Sequence, residues 1–184
     1  MLVLVFDTET TNIIDKSINM AMNNIQAFPY IIQLAWIVFD TDTQISTEHD
    51  FILKIPVKID NKDIHGISKD VSDKGYLFSE IFCIFMDDYN KADVIVGHNE
   101  NFDLNMLEIE LLRINEYDSI DILYNKVFYD TMIQATKIGN RFKLTRYPKL
   151  MNLYQLLFNE GFNDAHNALG DVRATLRIYL EMTK

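Results

Sequence analysis

The chain opens on a run of apolar residues, Leu2-Val3-Leu4-Val5-Phe6, that passes without a break into Asp7-Thr8-Glu9-Thr10. Successive apolar side chains of this kind suit a strand covered on both faces. The pleat sends alternate side chains to opposite faces, so Asp7 and Glu9 share one face while Phe6 and Thr8 share the other. Two carboxylates held that close repel each other, and the cost falls when a cation lies between them. A buried strand ending in such a pair needs a fold that brings a cation, and the cation's other ligands, to its end.

The remaining elements follow from periodicity. Residues 30–39, "YIIQLAWIVF", read as a second strand, 40–43 as a polar turn, and 49–55, "HDFILKI", as a third strand stopped by Pro56. Connections this short make an antiparallel meander. The pattern then alternates: a helix over 76–90, a strand over 93–97 ended by glycine, a helix over 100–114 and a fifth strand over 126–131. Further helices are expected over 131–137, 151–159 and 166–182, and 13–29 reads as a surface excursion. A meander followed by alternation predicts an α/β fold with a mixed five-stranded sheet flanked by helices, as one domain over 1–184.

Composition bounds the rest. Cys83 is the single cysteine, which excludes intrachain disulfides and cysteine-based zinc sites. The apolar start lacks a basic flank and stops at Asp7, unlike a signal peptide, and no apolar run approaches the ~20 residues of a membrane span. The expectation is a soluble, intracellular, cytoplasmic protein. A formal charge of −10 opposes charge-driven wrapping of duplex nucleic acid. Yet 137–149, "KIGNRFKLTRYPK", carries Lys137, Arg141, Lys143, Arg146 and Lys149 and no acid, leaving the remainder near −15. Two readings of this segment stay open: a solvated basic loop, or a strip that meets phosphates.

Two later stretches place acids where a strand or loop runs into a helix. "VGHNENFD" (96–103) puts Asp103 in a first helical turn, and "DAHNALGD" (164–171) puts His166 just before a helix and Asp171 within it. Carboxylates from one strand end and two helix starts can converge on a point. Hard divalent cations such as Mg²⁺ and Mn²⁺ favour oxygen ligands of this kind. Taken singly, each has an ordinary explanation: Asp103 stabilises a helix N-terminus, and His166 is a surface or cap histidine.

Together, "FDTETT", "GHNENFD" and "HNALGD" resemble the three successive motifs of the DEDD superfamily of 3′-to-5′ exonucleases, in its histidine branch, which includes proofreading subunits similar to the epsilon subunit of bacterial DNA polymerase III. His166 stands five positions before Asp171, the spacing of that branch. The likeness extends through "PYIIQLAW" (29–36), "IHGIS" (64–68) and "YPKLMNLYQLLF" (147–158). The resemblance implies a ribonuclease H-like fold. It implies that Asp7, Glu9, Asp103 and Asp171 ligate two divalent cations, Mg²⁺ or Mn²⁺. It makes His166 the general base, a role for which histidine is the commonest side chain. One departure is Asn12, where the family commonly has glycine; asparagine tolerates a left-handed turn better than most residues.

By the same resemblance the backbone of Thr8 and Thr10 lies beside the terminal sugar, and His65 and Gly66 approach the last nucleotide. His65 has an equal alternative as a solvent-facing turn histidine. Phe102 is either a wedge between bases or core. His98 and Asn99 read as a helix-capping pair, and "QLLF" (155–158) as core. The expected function is removal of nucleoside 5′-monophosphates from the 3′ end of single-stranded DNA, in proofreading or end-trimming. The alternatives are an exoribonuclease and a catalytically silent nucleic-acid-binding scaffold. Whether the chain acts alone or with a polymerase or replication complex stays open, and no membrane role is expected.

Overall fold

The structure, a computed structural model, describes residues 1–15, 17, 24–137, 144, 146–163 and 165–184. Five strands form one sheet in the order β3-β2-β1-β4-β5: β1 (Leu2–Thr10), β2 (Ile31–Asp40), β3 (Ser46–Ile52), β4 (Val94–Gly97) and β5 (Val127–Asp130). β1 pairs antiparallel with β2 and parallel with β4, β2 with β3 is antiparallel, and β4 with β5 is parallel. This is the expected mixed α/β sheet of a ribonuclease H-like fold. The β2–β3 turn is tight because Asp40 accepts from the Asp42 backbone N–H at 3.0 Å and the Thr43 hydroxyl at 2.9 Å.

Among the described residues the helices are α1 (Lys62–His65), α2 (Lys69–Ser72), α3 (Phe78–Lys91), α4 (Glu100–Arg113), α5 (Asp118–Tyr124), α6 (Thr131–Lys137), α7 (Leu150–Phe158) and α8 (Ala168–Met182). The alternation along β1 assigns its two faces. Leu4 and Phe6 pack into the core made by α3 and α4, with Ile81, Phe85, Leu104 and Leu107. Val3 and Val5 pack against Ala168, Val172 and Tyr179 of α8. The acid-bearing helices α4 and α8 therefore lie on opposite faces of the sheet.

The third strand begins at Ser46, not at residue 49. Its pairing starts directly after the turn, with Phe39 opposite Ser46, and its first three residues are exposed on a sheet edge. An edge that faces water has no apolar alternation to read, whereas the apolar Leu53 and Ile55 beyond it are buried in a separate segment bridged to Tyr76. The four-residue helices α1 and α2 were too brief to show a period, and α5 was not anticipated. Residues 13–29 are more than a surface excursion. Ile25 and Phe28 are buried in the core, and Arg113 of α4 donates to their carbonyls at 3.1 and 2.7 Å. Arg113 also pairs with buried Glu110 at 2.6 Å and lies 3.6 Å over the Tyr30 ring. Residues 16 and 18–23 lie outside the described residues. "QLLF" is core only in its second half: Gln155 and Leu156 are exposed, while Leu157 and Phe158 are partly buried against the cluster around Leu153 and Ile178.

Candidate active site

β1 outruns its parallel neighbour. Its pairing with β4 ends at Val5–Val96 and β4 itself ends at Gly97, while the pairing with β2 continues to Thr10. Asp7, Thr8 and Glu9 therefore project past the carboxyl end of the parallel strands, where open α/β sheets leave a crevice for ligands. Asp7 and Glu9 keep the face of Val3 and Val5, which is covered by α8. Asp171, in the first turn of α8, meets them there. One carboxylate oxygen from each of Asp7, Glu9 and Asp171 lies within 4.8 Å of the other two.

Asp103 arrives from the other face. The first turn of α4 places its Oδ1 where β4 would have continued, accepting from the Thr8 backbone N–H at 3.1 Å and the Thr8 hydroxyl at 2.6 Å. The carboxylate thus satisfies the strand edge left bare by the end of β4. Thr8 is buried and its side chain serves Asp103. Asp103 stands outside the three-carboxylate group yet close enough to raise the pKa of Asp7.

All four acids hold their protons more tightly than ordinary carboxyls. Burial first, then the charges of Asp103, Asp171 and Glu9, push Asp7 well upward. Burial and the charges of Asp171 and Asp103 raise Glu9 to about 7. Burial raises Asp103 to about 7 against its hydrogen bonds from Thr8. Asp171 is raised by burial to about 6, with His166 working in the opposite direction through its charge and its backbone N–H. Among the described residues no Lys or Arg enters these balances. Asp171 Oδ1 is buried without a hydrogen-bond partner. An all-oxygen set, mutually repelling and with an orphaned oxygen, fits a hard divalent cation.

The other expected residues divide. His166 is exposed in a left-handed conformation, φ 64°, two residues before α8, next to Asp171. The Thr10 hydroxyl donates to the Asn12 carbonyl at 2.8 Å. Asn12 needs no left-handed backbone; its side-chain oxygen accepts from the Ile13 N–H at 2.8 Å. His65 is buried, which removes the solvent-facing alternative. Its Nδ1 accepts from the Ile67 N–H at 3.1 Å, so Nε2 carries the proton of the neutral ring, buried without a partner. Gly66 ends α1 at φ 76°. Phe102 is partly buried against the core. Asn61 ties α1 to the site by donating to the Thr10 carbonyl at 2.9 Å. Beside it, a cleft of about 400 Å³ opens between Thr11, Asn12, Gln26, Phe28, Tyr30 and Lys58.

His98 and Asn99 do not cap α4 with their side chains. Asn99 takes φ 71° and makes no side-chain cap bond. His98 spans the rim instead: Nδ1 lies 2.9 Å from the Thr131 hydroxyl and Nε2 donates to the Pro148 carbonyl at 3.0 Å. Two acids escaped the sequence reading. Asp130, at the end of β5, accepts from the Asn99, Met132 and Ile133 N–H groups at 3.2, 2.7 and 3.1 Å, joining the α4 turn to the start of α6. Glu100 shares a hydrogen bond with it and, through burial first, is raised to about 8. Gly97 makes the approach possible, because a Cβ there would lie 2.6 Å from Glu100 Cβ. The signal for Asp130 was its place at a strand end directly before a helix.

The sequence matches the family described as Exonuclease (RNase_T) over residues 4–179. The chain belongs to the exonuclease family. Solved structures similar to this chain include cell-death related nuclease 4 (CRN-4), with 14% identity and TM-score 0.73, covering 99% of this chain and 63% of that one. A full-length 3′-exonuclease shares 15% identity at TM-score 0.68, covering 99% and 60%. Exonuclease I of E. coli, solved with a dA16 oligonucleotide, shares 19% identity at TM-score 0.73, covering 100% and 40%. The chain thus spans less than two thirds of each of these proteins. Its sequence matches no curated protein. No helix among its described residues is long and apolar enough to cross a membrane.

Proposed function

We propose that this chain is a 3′-to-5′ exonuclease of the histidine branch that removes nucleoside 5′-monophosphates from the 3′ end of single-stranded DNA, working as a single domain with two divalent cations, Mg²⁺ or Mn²⁺. The observation that carries the reading is the gathering of Asp7, Glu9 and Asp171 within 4.8 Å, with Asp103 fixed at the adjoining strand edge. Such a group is stable in its charged form only with positive charge among its oxygens. The similarity to a 3′-exonuclease and to Exonuclease I, solved with an oligodeoxynucleotide, supports the polarity and the substrate.

Asp7, Glu9, Asp103 and Asp171 hold the cations, which when bound neutralise charge on the attacking and leaving oxygens of an in-line phosphoryl displacement. Thr8 holds Asp103 in one orientation. His166, exposed beside Asp171, takes a proton from the attacking water, as its place two residues ahead of α8 allows. The water oxygen bonds to phosphorus, and the bond between phosphorus and the 3′ oxygen of the penultimate nucleotide breaks. The products are a nucleoside 5′-monophosphate and a strand with a new 3′ hydroxyl. His65, a buried donor without an acceptor, together with Gly66, Thr10 and Phe102, meets the terminal nucleotide.

The test is a digestion panel of matched DNA and RNA oligonucleotides with free and blocked 3′ ends, in Mn²⁺ or EDTA, for the wild type and Asp7→Ala. Stepwise mononucleotide release from free DNA ends is expected only for the wild type with metal. Full activity of Asp7→Ala, or activity in EDTA, refutes the cation mechanism, and a preference for RNA refutes the substrate.

A further inference from the structure

The rim that carries the acids has a second, oppositely charged feature. Pro148 is buried, but Arg146, Tyr147 and Lys149 around it are exposed, Tyr147 to 61%. An aromatic ring of that size in water, between two cations, contributes nothing to the core. Among the described residues neither Arg146 nor Lys149 forms an ion pair. The backbone under the ring is nonetheless pinned: His98 Nε2 donates to the Pro148 carbonyl at 3.0 Å. The other side of His98 lies 2.9 Å from the Thr131 hydroxyl, which in turn donates to the Gly97 carbonyl at 3.0 Å. Gly97 and Thr131 end or follow β4 and β5, so this chain of contacts fixes Tyr147 at the carboxyl end of the parallel strands, the same end at which β1 presents Asp7 and Glu9.

We propose that Tyr147, flanked by Arg146 and Lys149 and seated through Pro148 on His98, is a stacking platform for single-stranded nucleic acid upstream of the 3′ end. It deepens, and rests on, the reading of the chain as a nuclease of single strands. Single strands are held by aromatic faces that stack bases and cations that track phosphates, and one exposed ring between two cations supplies both. The charge distribution favours the same place. The chain outside 137–149 carries about −15, so a polyanion is repelled elsewhere and drawn to this segment. Pinning the backbone before the strand arrives lowers the ordering cost of binding.

The full chain is titrated against 5′-labelled oligothymidylate and oligouridylate 12-mers in Ca²⁺, with fluorescence anisotropy as readout. Because the ring is exposed, Tyr147→Ala is expected to melt like the wild type while binding both oligomers about 5- to 150-fold more weakly. Tyr147→Phe keeps the face and is expected to bind as the wild type does. Arg146→Gln and Lys149→Gln each lower the slope of log affinity against log salt by about 0.7. Binding by the wild type that Tyr147→Ala leaves unchanged overturns this inference alone. A wild-type chain that binds neither oligomer overturns the nuclease reading with it.

Discussion

Replacing Asp171 with Asn is expected to stabilise the metal-free chain while destroying its activity. Asp171 is displaced by burial from 3.8 to about 6. At about 1.4 kcal/mol per pH unit, that corresponds to a ceiling of about 3 kcal/mol of destabilisation when the group is ionised. Partial exposure screens part of this. Loss of a negative charge from the first turn of α8 costs about 0.3–1 kcal/mol. Asn keeps an oxygen for the backbone N–H of His166, so the net gain is about 2 kcal/mol, or roughly 4–8 °C in melting temperature. The sign with pH follows from the raised folded pKa. Between about 4 and 6 the native state holds a proton that the unfolded chain has released, so wild-type stability falls as pH rises through that window. The advantage of the variant is therefore full above about pH 6 and absent below about 4. Thermal melts in EDTA across pH 4–8 measure it. Millimolar Mn²⁺ reverses the order, because the cation binds the native wild type and stabilises it by mass action. A variant that melts at or below the wild type at pH 8 in EDTA, or a gap that ignores pH, refutes the claim that these acids are held together against their repulsion.

Two further outcomes are expected. His166→Ala is expected to lose about 10²- to 10⁴-fold in turnover while Mn²⁺ still raises its melting temperature; unchanged kinetics would remove the general-base role. Arg113→Ala leaves Glu110 buried without its partner and frees the carbonyls of Ile25 and Phe28. It is expected to cost about 3–5 kcal/mol in chemical denaturation, and a loss under 1 kcal/mol would show that the 25–31 segment is anchored by packing alone.

Where local pattern was strong, the chain was legible. α6 falls on the expected 131–137, and α3, α4, α7 and α8 lie within two residues of their expected bounds, because an apolar stripe at helical spacing is a local property of the chain. β3 was displaced because an exposed edge strand has no buried face to impose alternation. Ile25 and Phe28 were misjudged because their burial depends on Arg113, some 85 residues away, and no local period records such a contact.

The order of residues alone determined that Asp7 and Glu9 face the same way, and that Asp103 and Asp171 begin helices, since pleat and helix start are set within a few residues. Tertiary structure decided the rest. The sheet order β3-β2-β1-β4-β5, with β1 longer than β4, put α8 on the Asp7 face and α4 on the other. Hence Asp171 joins the carboxylate group while Asp103 enters through the bare edge at Thr8, and Asp130, Glu100 and His98 assemble the rim around them. Distances between a strand end and a helix start depend on which strands are neighbours, and strand neighbours are chosen by the packing of the whole chain.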